Sequence, residues 1–224
     1  MVIKAILFDI DNTLTDFIAM KHSCCEAGIN AMIKAGLKTD RKKALKILFE
    51  LYDQYGIEYE TIFQKFLKKL TGQVNYDILA HGISAYRKVA VEHIVPYPYV
   101  IPTLKKLKKN YKLAIISDAP RIKAWERLVA MKIDKYFDVV ITAADVRRQK
   151  PTVAPFHAAL KALKVKPEEA IMVGDRPDRD IKGAKKAGIK TVFARYGNPK
   201  VKKSGADYDI KRIDEVLKIL NEVR

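Results

Sequence analysis

Cysteine is almost missing from this chain of 224 residues: there are two, and they are neighbours, Cys24 and Cys25. Adjacent thiols build no disulfide framework, so the small stapled secreted folds are excluded and a reducing cytoplasm is the expected home. Long apolar runs are missing too. The N-terminal run Ile3, Ala5, Ile6, Leu7, Phe8 is too short for a signal peptide and is broken by Asp9. No stretch reaches the length of a membrane span, so no membrane partner is expected. Acidic residues are few beside basic ones, 26 against 43, for a formal charge of +17. Such an excess can serve nucleic acid. Here the lysines are spread through TLKKLKKN, KFLKKL and GAKKAGIK and read as solvated helix faces, with a long-range pull on anions, so a nucleic-acid partner is not expected. His22, His81, His93 and His157 have no mutual ligand spacing, and there is no internal repeat or low-complexity tract. Hydrophobic residues, at 49%, are enough for a real core.

What is present is concentrated first in VIKAILFDIDNTLTD, Val2 to Asp16. The short apolar run predicts a strand buried on both faces, as in a parallel sheet. It ends in Asp9 and Asp11, which an extended chain points the same way while Ile10 points opposite. Two carboxylates side by side at the end of a buried strand need a cation, a shared proton or solvent to coexist. Capping of a turn by Asp is the plainer reading of the same residues.

From Asp16 to about Val95 the apolar residues recur at helical spacing, with Gly36, Gly56 and Gly72 near helix ends and Thr39-Asp40 as an N-cap. This predicts about four helices packed as a bundle. Beyond it, helix and strand alternate. Strands are expected at Lys112 to Ile116, Asp138 to Ile141, Ala170 to Val173 and Lys190 to Phe193, the last clear one. Helices are expected at Val100 onward, Pro120 to Met131 (with Trp125 in the core), Pro151 to Leu163, Asp180 to Ala187, and around Ile213 to Leu220. Strands separated by helices imply right-handed crossovers. The predicted fold is α/β: a doubly wound, Rossmann-like parallel sheet formed by residues 1–15 and 96–224, with an α-helical insertion at 16–95.

Parallel strands bring their C-terminal ends to one edge, where open α/β sheets bind ligands. Here those ends carry Asp9 and Asp11, Ser117 and Asp118, Lys150 past the third strand, and Gly174-Asp175 with Asp180 close behind. Several carboxylates with one ammonium suit Mg²⁺, which takes few protein carboxylates and keeps water and phosphate oxygens.

In this order the motifs DIDNTLTD, ISDA, QKP (Gln149–Pro151) and VGDRPDRDIKGAKKAG resemble those of the haloacid dehalogenase (HAD) superfamily of hydrolases, in the branch with a helical cap inserted after the first motif. The resemblance covers essentially the whole chain. It implies a Mg²⁺-dependent phosphatase acting on a small phosphorylated metabolite. It implies Asp9 as nucleophile and Asp11 as general acid and base. Asp9, Asp175 and the Asp11 backbone carbonyl would hold the metal, with Asp180 orienting a metal-bound water or ligating directly. Ser117 and Lys150 would bind the phosphoryl group with the N–H groups of Asn12 and Asp118. Asn12 stands where the family usually has Gly, and Asn tolerates turn geometry. True dehalogenases lack the Asp that this chain keeps at position 11, which favours phosphoester chemistry; sugar-phosphate mutases keep it, and 2-haloacid dehalogenase or phosphosugar mutase chemistry on the same fold stands as the alternative. Among capped members the chain is similar to archaeal phosphatases associated with glyceraldehyde 3-phosphate, with phosphoglycolate and other sugar phosphates as further candidates. Arg176 and Arg179 read as exposed, paired loop residues.

Overall fold

The structure, a computed structural model, describes residues 2–223. In chain order the main elements are β1 (Ala5–Phe8), α1 (Phe17–Lys34), α2 (Arg41–Tyr55), α3 (Ile62–Thr71), α4 (Tyr76–His93), α5 (Val100–Leu107), β2 (Lys112–Ser117), α6 (Arg121–Ala130), β3 (Val139–Thr142), α7 (Ala143–Val146), α8 (Ala154–Leu163), β4 (Ala170–Gly174), α9 (Lys182–Lys186), β5 (Lys190–Ala194), β6 (Tyr208–Ile210) and α10 (Val216–Glu222). The chain divides into two compact units, Met1–Phe17 with Val95–Arg224, and Ile18–Ile94.

The first unit is built on a six-stranded sheet in the order β3-β2-β1-β4-β5-β6, with every pairing parallel. β1 lies inside it because all four of its residues are apolar and can be buried on either face. Leu7 stands beside Ala114 of β2 on one side and Met172 of β4 on the other. Ala5, Leu7, Ala114, Ile116, Ala170 and Met172 pack with Phe156 and Leu160 of α8, and the structure is a Rossmann-like α/β fold. Two further ties fix the chain where it leaves and re-enters this unit. Thr15 pairs with Pro96, and the Thr15 hydroxyl donates to the Val95 carbonyl at 2.7 Å.

The second unit holds α2, α3, α4 and nearly all of α1. Its core is Ile29 and Met32 of α1, Leu48 and Leu51 of α2, Phe63 and Phe66 of α3 and Leu79 of α4. Local sequence sets the helix ends: the Asp40 carboxylate accepts from the Lys43 N–H at 2.9 Å at the start of α2. Gly72, with φ 80°, closes α3 in the left-handed conformation that a side chain disfavours. Cys24 and Cys25 are both buried free thiols, and burial pushes their pKa up, to about 11 and about 12. They are inert packing groups.

Three expectations are corrected. Trp125 is not core: it is 41% exposed, with Ile122 and Val129 exposed beside it on α6. The buried face of that helix is Ala124, Arg127 and Leu128. Both stripes have helical spacing, and a charged residue on the inward one made the outward one look apolar by comparison. The single helix expected from Asp180 to Ala187 is instead a wide π-helical turn, Pro177–Ile181, followed by the short α9. The sheet also continues one strand past the last expected one, into β6, whose three residues are too few to show a strand period.

Candidate active site

The site forms where β1, β2 and β4 end. Asp9 follows β1 directly and is almost fully buried; its N–H donates to the Val173 carbonyl of β4 at 3.0 Å, so the sheet ladder fixes the backbone that carries it. Lys150 reaches the same point from the loop after α7: its Nζ donates to Asp9 Oδ1 at 2.6 Å and to the Ile116 carbonyl at 3.0 Å. The same ammonium lies 2.6 Å from Asp180 Oδ1. Carboxylate oxygens of Asp9, Asp175 and Asp180 come within 4.8 Å of one another, and all three residues are buried.

Close approach explains the glycine before Asp175. A Cβ on Gly174 would lie 2.4 Å from Asp180 Oδ2 and 2.6 Å from Asp180 Cβ, so the π-helical turn can lay Asp180 against β4 only because position 174 has no side chain. The Arg176 N–H then donates to Asp180 Oδ2 at 3.0 Å.

Electrostatics follow from three buried acids around one ammonium. Burial raises the Asp9 pKa well above the ordinary carboxylate value; Lys150 opposes this, and Asp180, Asp175 and Asp11 add to it. Burial, then the neighbouring charge of Asp180, raises Asp175 to about 7. Burial works against the charged form of Lys150, yet Asp180, Asp9 and Asp118 together hold its pKa above normal. Asp175 Oδ1 is buried with no hydrogen-bond partner among the described residues. An orphaned carboxylate oxygen beside two other acids is chemically suited to a hard divalent cation, which would replace the proton and neutralise the surplus charge.

The other expected residues are placed as follows. Ser117, at the end of β2, is buried and its hydroxyl accepts from the Ala119 N–H at 3.1 Å. The Asp118 carboxylate accepts from the Lys150 backbone N–H at 2.9 Å, so it braces the lysine's loop. Asn12 has φ 56°, the left-handed turn that Asn accepts better than most residues. The Asp11 side chain takes no part in the three-acid cluster; its Oδ2 accepts from Arg127 Nη1 at 2.7 Å. Arg176 is held by Asp178 at 3.0 Å, while Arg179 reaches Asp118 at 3.4 Å, and both side chains are partly exposed.

Two groups of residues escaped the sequence reading. Arg127 is one. The other is the turn after β5. The Tyr196 hydroxyl donates to the Thr13 carbonyl at 2.7 Å, and Asn198 Nδ2 donates to the Asp175 carbonyl at 3.2 Å, so the turn ties the Asp9–Thr13 loop to the Asp175 loop. Gly197 between them sits so close that a Cβ would fall 1.7 Å from the Asn12 carbonyl oxygen and 3.1 Å from Asp175 Cβ. The signal was there: Gly197-Asn198-Pro199 is a turn at the C-terminal end of one more parallel strand, the same edge that carries the other motifs. Gly197→Ala must displace the Asn12 peptide; it is expected to lose about 1–3 kcal/mol in urea unfolding and to lower turnover in the folded fraction.

Residues 6–194 match the family of haloacid dehalogenase-like hydrolases. The chain is 37% identical to the glyceraldehyde 3-phosphate phosphatase of Pyrococcus furiosus, over 97% of this chain and 93% of that one. It is 36% identical to the protein of the same name from Methanocaldococcus jannaschii, over 99% of each. A crystal structure of a HAD phosphatase from Thermococcus onnurineus is 30% identical and covers 97% of this chain and 98% of its own, with a TM-score of 0.72. The chain belongs to the haloacid dehalogenase-like hydrolase family, and within it to the phosphoric monoester hydrolases. Among the described residues no helix is long and apolar enough to cross a membrane.

Proposed function

We propose that the protein hydrolyses a small phosphate monoester by way of a phosphoryl group held transiently on Asp9, with glyceraldehyde 3-phosphate the first candidate substrate. The observation that carries this reading is the buried Asp9 carboxylate with Lys150 Nζ at 2.6 Å and two further acids within 4.8 Å. Asp9 attacks phosphorus in line, forming an acyl phosphate and expelling the alcohol. Lys150 offsets charge on the nucleophile and on the transferring group. Ser117, with the N–H groups of Asn12 and Asp118, supplies donors to the phosphoryl oxygens. Asp11 gives a proton to the leaving alkoxide and then takes one from the water that hydrolyses the acyl phosphate.

Asp9, Asp175 and the Asp11 backbone carbonyl would hold Mg²⁺, with Asp180 beside them. The cation supplies charge neutralisation where phosphate meets carboxylate. Residues 16–95 correspond to the helical cap of the family's capped branch. The substrate follows from the two archaeal relatives, which span nearly the whole chain. The nature of position 11 favours phosphoester over dehalogenase chemistry, because a halide leaves without a proton.

A panel of phosphorylated metabolites assayed with added Mg²⁺ is the direct test. Phosphate release is expected, highest with a three-carbon aldehyde or related sugar phosphate, and EDTA should abolish it. Metal-independent release of chloride from 2-chloropropionate, with no phosphate from any ester, would reject the proposal.

A further inference from the structure

Arg127 lies on the inward face of α6 and is almost fully buried, which is unusual for a guanidinium. Its Nη1 donates to Asp11 Oδ2 at 2.7 Å, and its guanidinium carbon stands 4.3 Å above the ring of Phe17. The Arg127 side chain is 5% exposed, against 25% for Asp11. The arginine is thus the more deeply buried partner of the pair. α6 is also the helix that follows the Ser117-Asp118 loop, and Arg121 at its start is paired with Asp145 at 2.5 Å. One rigid helix thus anchors the guanidinium that receives Asp11.

We infer that Arg127 is a positioning residue: it holds the Asp11 carboxylate in the orientation from which it serves the leaving group and the hydrolytic water. A planar fork buried against an aromatic ring has little freedom, so an oxygen bound to it is defined in angle as well as distance. The Phe17 ring, 4.3 Å from the guanidinium carbon, adds a cation–π contact to the fork. The inference rests on the phosphatase reading and assigns no contact with substrate to Arg127.

The two half-reactions separate this role from general damage. Asp9 can displace p-nitrophenolate without a proton donor, whereas an alkoxide needs one; hydrolysis of the acyl phosphate needs Asp11 with either substrate. With wild type, Mg²⁺ and either p-nitrophenyl phosphate or an alkyl phosphate such as glycerol phosphate, steady turnover is expected. With Arg127→Met, p-nitrophenyl phosphate should still give a rapid burst of one nitrophenolate per enzyme. Steady turnover should then fall on the order of 10²-fold, and KM should fall with it so that kcat/KM for this substrate is little changed, because only the second half-reaction is slowed. The alkyl phosphate should give no burst of alcohol. Arg127→Lys, which keeps the charge and the stem, should show the same pattern at smaller amplitude, and it carries the test if the Met variant does not fold. Loss of the nitrophenolate burst together with turnover, or a normal rate with both substrates, would overturn the positioning role alone. A wild-type enzyme that releases phosphate from neither substrate nor any other ester would overturn the phosphatase reading, and this role with it.

Discussion

Asp9→Asn is expected to lower turnover on the order of 10⁴-fold or more while the folded protein persists. The amide matches the carboxylate in shape but is a far poorer nucleophile toward phosphorus, so the covalent step has no substitute path at that point. Stability should survive because the Asp9 carboxylate is not the sole partner of the ammonium: Lys150 Nζ also lies 2.6 Å from Asp180 Oδ1 and donates to the Ile116 carbonyl at 3.0 Å. The substitution also removes one of three crowded buried acids. The thermal midpoint of the variant should therefore stay near that of the wild type or rise. Mg²⁺ should still shift it, through Asp175. A variant that folds and retains a tenth of the wild-type rate would place the covalent chemistry elsewhere.

Lys150→Met should damage both stability and rate. It leaves Asp9, Asp175 and Asp180 buried together without their ammonium. Removing one partner of such a buried group costs about 3–5 kcal/mol near neutral pH. The cost has a definite pH dependence. In the native chain the carboxyls of Asp9 and Asp175 already take up protons at higher pH than they would unfolded, burial being the main cause, and Asp175 does so at about 7. Without the ammonium this difference widens. The folded variant then binds more protons than the unfolded chain, so its stability falls as pH rises through that window. Urea unfolding at about pH 8 should show the full deficit and at about pH 5 much less, with Mg²⁺ recovering part of it at the higher value. Phosphate release should fall by on the order of 10²–10³-fold even where the variant is folded. A deficit that grows toward acid pH would contradict the arrangement of charges.

Much of this was legible from residues whose chemistry conflicts with their surroundings. Asp9 ends an apolar run, Asp175 follows a buried strand and a glycine, and Lys150 precedes a proline; each is a polar group at the edge where parallel strands terminate. Strand ends can be counted in a sequence, and the parallel sheet converts that order into convergence. Arg127 was not legible, because an arginine inside an amphipathic helix reads as solvated, and its partner Asp11 lies far away in the sequence. The same ambiguity put Trp125 on the wrong side of α6. Tyr196 and Gly197 were missed because they act through backbone carbonyls and through lack of volume, and neither leaves a trace in charge or periodicity. The bend before α9 depends on Asp180 lying against Gly174, a contact between residues six apart that helical spacing does not encode.

The proposed transient bond to Asp9 can be tested directly. The wild-type protein, turning over its best phosphate ester with Mg²⁺, is quenched in acid, reduced with borohydride and digested for peptide mass spectrometry. An acyl phosphate on Asp9 is reduced to homoserine, so the peptide spanning Val2 to Asp16 should carry that mass change at position 9 and lack it when substrate is omitted. Vigorous turnover with Asp9 unmodified, or the change found at another carboxylate, would contradict Asp9 as the phosphoryl acceptor.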